Sequence, residues 1–359
     1  MICTLRPSFV ITLLIAMMFA LGGCGGSEQA SEEQGSSSGQ ESASSGPITN
    51  SENAPSAPEA AEWPQPSKEP AGEVVDIGDE PEGVVVDPET GLVAVALWQS
   101  SRLALIDINS REVVQNVELP GSARHLSLAG PGGPVLVPVE TADTFAQVSL
   151  PEGEVTSKTS VGDAPHNAAA APNGRIFVVN EAASTISVIE NDSEIDRIEA
   201  PLTPGGVAVT SDGLVGVVGV RGLDLEIYDA SSLKAQVIAG AGKGPTHVKV
   251  GPEDRFYVVD TRGDAILVYE ANPEPEQVGN ISLPGTPYGI DVDPERGQLW
   301  VTLTAENQVV QLALEGDTLR ELARYPTVRQ PNSVAVDPDS GRVFITGSLS
   351  GELQILKPS

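Results

Sequence analysis

From about residue 73 onward the chain is a succession of short runs in which apolar and polar residues alternate, each run closed by a cluster of Gly, Pro, Asp or Ser. Alternation with a period of two is the pattern of strands buried on one face, and such clusters are turns. One unit recurs: a proline or alanine, two variable residues, an alternating apolar run, then a turn. It reads Pro81-Glu82-Gly83-Val84-Val85-Val86, Ala123-Arg124-His125-Leu126-Ser127-Leu128 and Pro165-His166-Asn167-Ala168. Further copies are Pro204-Gly205-Gly206-Val207-Ala208-Val209, Pro245-Thr246-His247-Val248-Lys249-Val250, Pro287-Tyr288-Gly289-Ile290-Asp291-Val292 and Pro331-Asn332-Ser333-Val334-Ala335-Val336. Successive copies start 42, 42, 39, 41, 42 and 44 residues apart. A strand-patterned repeat near 40 residues is the length of one propeller blade.

Each copy continues alike. A turn such as Asp87-Pro88-Glu89-Thr90-Gly91 or Asp337-Pro338-Asp339-Ser340-Gly341 reverses the chain. A second strand follows (Ile176 to Asn180, Phe256 to Asp260, Leu299 to Leu303, Val343 to Thr346). A third is clear in Thr185 to Ile189 and Ala265 to Tyr269, and a weaker fourth in Val113 to Leu119 and Val278 to Leu283. The last copy has three strands and stops near Lys357, while a lone strand, Glu73-Val74-Val75-Asp76-Ile77, precedes the first. Pairing the two ends would complete a blade and remove an open edge. The expected fold is therefore all-β: a seven-bladed β-propeller of four-stranded antiparallel blades, spanning residues 73–359, with strand 73–77 closing the last blade. A β-solenoid coil is shorter than this unit, and a sandwich does not account for the displaced terminal strand.

Phe177-Val178-Val179-Asn180 and Tyr257-Val258-Val259-Asp260, with Ala104-Leu105-Ile106-Asp107 and Ser187-Val188-Ile189-Glu190, make residues 73–357 resemble the YVTN, or YncE-like, seven-bladed propellers. That family includes surface-layer proteins, binding proteins and some enzymes, so the resemblance implies a fold and leaves activity open.

Composition adds a second part to the chain. Residues 25–72 are rich in Ser, Gly, Glu, Ala and Pro and nearly devoid of branched apolar side chains. Such a segment cannot bury enough surface to offset its chain entropy. It is expected to be a disordered tether, residues 24–72, with a mean reach of roughly 40 Å. Ahead of it, Phe9 to Leu21 is an apolar run too short for a mature membrane helix but suited to a secretory signal, residues 1–23. It ends in Leu21-Gly22-Gly23-Cys24, which resembles the bacterial lipobox. The resemblance implies a thioether-linked diacylglycerol on Cys24, anchoring the chain to a membrane on the extracytoplasmic side, at the cell surface or in the periplasm. The alternative is an ordinary secretory signal. Cys3 and Cys24 are the only cysteines, so no disulfide holds the repeat region. The net charge of −30 opposes binding to nucleic acid and to anionic headgroups.

In a propeller the loops into first strands and out of second strands share one face around the central channel. The two residues after each repeat proline should stand at that mouth. This selects Glu82, Arg124, His125, His166, Asn167, His247, Tyr288 and Asn332 as candidate binding residues. All three histidines of the chain fall in the set, where chance would scatter them. Second-strand exits add Trp98, Glu140, Asn180, Glu181, Asp260, Arg262 and Glu306 to the face. Three readings of the histidines remain open. They cap strands and bond neighbouring blades; they help line a mouth for a small polar ligand; or His125, His166 and His247 with Glu82 bind a divalent metal. The last requires their nitrogens to meet from blades 2, 3 and 5. Arg221 and Arg262 are expected to pair with acidic neighbours.

No Gly-x-Ser-x-Gly, phosphate loop or His-Glu-x-x-His occurs in the repeat region. The sequence thus points to a lipid-anchored binding or scaffold propeller of the cell envelope, engaging a ligand or partner protein at the mouth, with no cofactor expected. Streptogramin lyases and gluconolactonases share the architecture. The alternative is therefore a lyase or lactonase using a His/Glu pair there.

Overall fold

The computed structural model describes residues 54–61, 65–271 and 276–358. The signal segment, Cys24 and most of the expected tether, Trp63 included, lie outside the described residues.

The described residues form seven sheets of four antiparallel strands. Six are built from consecutive strands, as in blade 1: Pro81–Asp87, Leu92–Leu97, Arg102–Asp107 and Val113–Glu118. The seventh joins Pro331–Val336, Val343–Gly347 and Glu352–Leu356 to the N-terminal strand Glu73–Asp76. In that sheet Val75 stands opposite Leu353 and Val74 opposite Gln354, so the two ends of the ring share one set of ladder bonds. The expected seven-bladed propeller and its closure are both present.

The repeat proline opens the first strand in six blades: Pro81, Pro165, Pro204, Pro245, Pro287 and Pro331. Proline suits this place because the first residue of an edge strand need not donate to the ladder. The Asp-Pro segments are turns. In the first, Asp87 Oδ2 accepts from the Thr90 amide at 3.0 Å, and Gly91 takes a positive φ of 67°.

Packing is between blades. Each of the seven interfaces holds its own apolar cluster among the described residues. Val93, Val95 and Ile106 of blade 1 meet Phe344 and Leu353 of blade 7, and Val218 and Ile227 of blade 4 meet Phe256, Val258 and Tyr269 of blade 5. Second and third strands are therefore buried on both faces and read as nearly unbroken apolar runs, as in Leu92–Leu97. Fourth strands face solvent and alternate, as in Val113–Glu118. This burial holds the first strands in a fixed ring around the channel and so fixes what stands at its mouth.

Candidate functional site

Blade 2 is the irregular one. Its first strand is only Ser127–Leu128, so Arg124 and His125 precede the ladder and lie in extended chain. His125 turns into the channel and meets both other histidines. Its Nε2 is 3.2 Å from Nε2 of His247. Its ring centroid is 4.7 Å from that of His166, edge to face. The histidines of blades 2, 3 and 5 therefore do converge. Blade 4, which separates His166 from His247 in sequence, presents only Gly205 and Gly206 at the same level.

One side of this layer is charged. The Arg124 guanidinium lies 4.6 Å over the Trp98 ring, and its Nε donates to Glu140 Oε2 at 3.1 Å. The same oxygen is 3.4 Å from His166 Nδ1, and Glu181 Oε2 is 3.2 Å from that nitrogen. With the ring protonated, both contacts are ion pairs. Burial opposes charge on His166, but the two carboxylates outweigh it and push the imidazole up to about 9. Glu140 and Glu181 are held below the usual carboxylate range: burial works against their charge, and the cations beside them overcome it. At neutral pH this half of the mouth carries two cations and two carboxylates. The other two rings are neutral. Burial, and then the charge of His166, push His247 down to about 3 and His125 in the same direction.

Glu140, His166 and Glu181 place three ligand atoms within 4.8 Å of one another, close enough to share a divalent ion. This differs from the metal reading left open by the sequence, His125, His166 and His247 with Glu82: it uses one histidine, and its Glu140 oxygen is shared with Arg124.

The remaining candidates separate into distinct places. Arg124, His166, His247 and Tyr288 line a void of about 50 Å³ at the mouth. His125, His247 and Asn167 border a second cavity of about 210 Å³ along the channel. Asn167 turns its Oδ1 to the next amide, that of Ala168, at 2.7 Å. Glu82 and Asn332 bond to each other across the junction of blades 1 and 7, and Asn332 also donates to Ser348 Oγ at 3.1 Å. Burial pushes Glu82 up to about 7. Tyr288, buried, has its phenol raised far beyond the ordinary range and its carbonyl bonded to His247. Asp260 is structural: its carboxylate gathers the amides of Lys243, Gly244 and Gly263.

Sequence reasoning missed one component. Residues 54–61 belong to the stretch expected to be tether, and here they lie across the mouth. Pro58 is buried, and Ala57, Pro58 and Glu59 line the same void as Arg124 and His166. Arg221 and Arg262, expected to seek acidic side chains, donate to backbone of this segment: Arg221 Nε to Pro55 O at 2.9 Å and Arg262 to Ser56 O at 2.8 Å. No apolar periodicity announces the segment. Its only signal is Pro55 and Pro58 standing three apart in a run of small residues.

The architecture defines a seven-bladed β-propeller with a charged, partly covered channel mouth. Neither a protein-family model nor a curated protein sequence matches the chain. Solved structures match it in fold. Hydrazine synthase of Kuenenia stuttgartiensis aligns at a TM-score of 0.68 and 15% identity, over 78% of this chain and 96% of that one. Virginiamycin B lyase from Staphylococcus aureus aligns at 0.68 and 17% identity, over 81% and 100%. A chain of the mitotic checkpoint complex aligns at 0.71 and 13%, over 88% and 99%. Likeness at such identities shows the fold alone, and the three differ in what they do.

Proposed function

We propose that the chain is a YncE-like binding propeller, held to the outer side of a bacterial membrane by diacylglycerol on Cys24, that takes its ligand at the channel mouth. The observation that carries the binding role is the group of buried ionisable side chains on one side of that mouth. Arg124, His166, Glu140 and Glu181 are drawn partly out of water next to a void. The apolar inter-blade clusters build the ring without these charges, and a propeller does not require them at its mouth. A site that recognises a polar ligand does need them. The anchor rests on the apolar run and on Leu21-Gly22-Gly23-Cys24.

The test is native mass spectrometry of the full chain extracted from its own membranes, alongside Arg124→Ala. Retained mass on the wild type that is lost in the variant supports the reading. No retained mass in either counts against it. Cys24→Ser should move the protein from the membrane to the soluble fraction.

A second reading is a lyase at the same place. It is favoured by the likeness in fold to virginiamycin B lyase, of which a catalytically inactive histidine-to-alanine variant has been solved with quinupristin. Here His166 would enter the reaction as a general acid, because its carboxylate neighbours keep it protonated at neutral pH. Incubation with quinupristin followed by chromatography checks this, and loss of conversion in His166→Gln is the expected companion result.

A further inference from the structure

We propose that the mouth is a peptide site that grips an extended, proline-containing segment by its backbone, and that residues 54–61 are its built-in occupant. This rests on reading the mouth as a ligand site and names the class of ligand.

The contacts to the segment come from four blades. Arg221, between the second and third strands of blade 4, donates to Pro55 O at 2.9 Å and to Ala54 O at 3.4 Å. Arg262 at the equivalent place in blade 5 donates to Ser56 O at 2.8 Å. Thr304, after the second strand of blade 6, accepts the Ala61 amide at 3.0 Å. Gln330, just ahead of blade 7, donates to Ala60 O at 3.5 Å. Each of these contacts is made to main chain. Side-chain donors set around a ring and aimed at successive carbonyls recognise an extended backbone whatever its sequence.

Two positions add selectivity. Pro58 is buried in the mouth beside Gly244, where a Cβ would stand 2.7 Å from Arg262 Cβ and 3.2 Å from Pro58 Cγ. Proline arrives with φ already set, which lowers the cost of ordering the peptide. Glu59 follows and lines the void shared by Arg124 and His166. The segment otherwise offers only Ala, Ser and Pro55, so large apolar side chains do not account for its docking. A peptide in trans with proline at the same place and small neighbours meets the same donors.

The occupant is tied to Glu73 of the last blade by 11 residues, 62–72, and competes at an effective concentration on the order of 1 mM. A peptide in trans must displace it. The test therefore uses the full chain with residues 54–61 replaced by a Gly-Ser sequence of equal length, its folding checked by thermal unfolding. The probe is the labelled peptide Ala-Pro-Ser-Ala-Pro-Glu-Ala-Ala, followed by fluorescence anisotropy. It should bind the replaced chain at least tenfold more tightly than the wild type. Arg221→Ala with Arg262→Ala in the replaced chain should cost at least tenfold. Equal binding to replaced and wild-type chains, or no saturable binding to the replaced chain, overturns the proposal.

A second measurement needs no replaced chain. The Ala61 amide should exchange with solvent at least tenfold more slowly in the wild type than in Thr304→Val. Exchange at the free-peptide rate in the wild type overturns the proposal. Native mass spectrometry of the replaced chain separates the two readings. A retained small molecule without peptide binding overturns the peptide site and leaves the ligand-binding mouth standing, whereas neither result overturns both.

Discussion

His247 and His125 touch nitrogen to nitrogen, Nε2 to Nε2 at 3.2 Å, and the partner at the far side of His247 fixes where the protons lie. His247 Nδ1 is 3.1 Å from the Tyr288 carbonyl oxygen. A carbonyl only accepts, so Nδ1 carries the proton. The neutral ring then has a bare Nε2, and His125 donates to it from its own Nε2. A second proton on His247, at Nε2, would place two N–H groups face to face in a buried channel.

Acid should therefore weaken the fold through this pair. Both rings titrate below the ordinary imidazole value of 6.5, His247 at about 3. As pH falls from 6.5 towards 3 the unfolded chain takes up protons that the folded chain refuses, so stability is lost across that window. The slope is at most about 1.4 kcal/mol per pH unit for each ring. Denaturant unfolding of wild type and His247→Asn should show the difference moving in favour of the variant between pH 6.5 and 4. A pH-independent difference would contradict the lowered titration of His247.

His166 should act with the opposite sign. Its folded value, about 9, lies above the unfolded 6.5. Its contribution is complete below 6.5 and disappears as pH rises through 9. His166→Gln is expected to lose about 1–2 kcal/mol at pH 6 and almost nothing at pH 10, the figure being reduced because Glu140 and Glu181 remain partly in water. Chemical denaturation at the two pH values checks it. An equal loss at both would mean that the charge on His166 contributes nothing.

The fold was legible because each blade repeats the same local instruction. Strand alternation, Asp-Pro turns and the displaced strand at Glu73–Asp76 are local patterns that one sequence displays. The mouth was legible only in part. Its rim positions follow from the repeat, which brought out Arg124, His166, His247 and Tyr288. Which rim residues meet is a matter of depth and size. Gly205 and Gly206 let blade 4 approach the backbone of blade 5 at Thr246 to Val248, while Glu82 is drawn aside by Asn332. Residues 54–61 carried little signal beyond Pro55 and Pro58, because most of their polar contacts are made by main-chain atoms that every residue carries.

Asp224 opens the third strand of blade 4 with its side chain buried, 4% exposed, and Oδ1 without a hydrogen-bond partner. Burial first, and Glu226 second, push it up to about 7, far above its unfolded value of 3.8. The folded chain favours the neutral acid, so this position supports stability below pH 3.8 and loses that support as pH rises through 7. Asp224→Asn removes the buried charge. It should raise stability by about 1–3 kcal/mol at pH 8 and give no gain below pH 4, read from thermal unfolding at both. A loss at pH 8 would mean that the carboxylate has a partner there.

Gly83 sets the distance between blade 1 and the segment that carries two of the site residues. A Cβ at this position would fall 2.4 Å from the Arg124 carbonyl oxygen and 2.9 Å from the His125 Cα. That segment has no ladder of its own, since the first strand of blade 2 begins only at Ser127, so it takes its place from the neighbouring backbone. Gly83→Ala must push Arg124 and His125 away from blade 1. We expect a loss of about 1–3 kcal/mol from overpacking, together with a weaker His125–His247 contact. The altered contact should show as a rise of the His247 titration towards 6.5 by NMR. Gly240→Ala is the control, because a Cβ there meets nothing within 4 Å, and it should change stability by no more than about 0.5 kcal/mol. Equal effects at the two glycines would show that the spacing of blades 1 and 2 is not set at Gly83. The His125 position would then have to be held from the channel side, by His247 and His166.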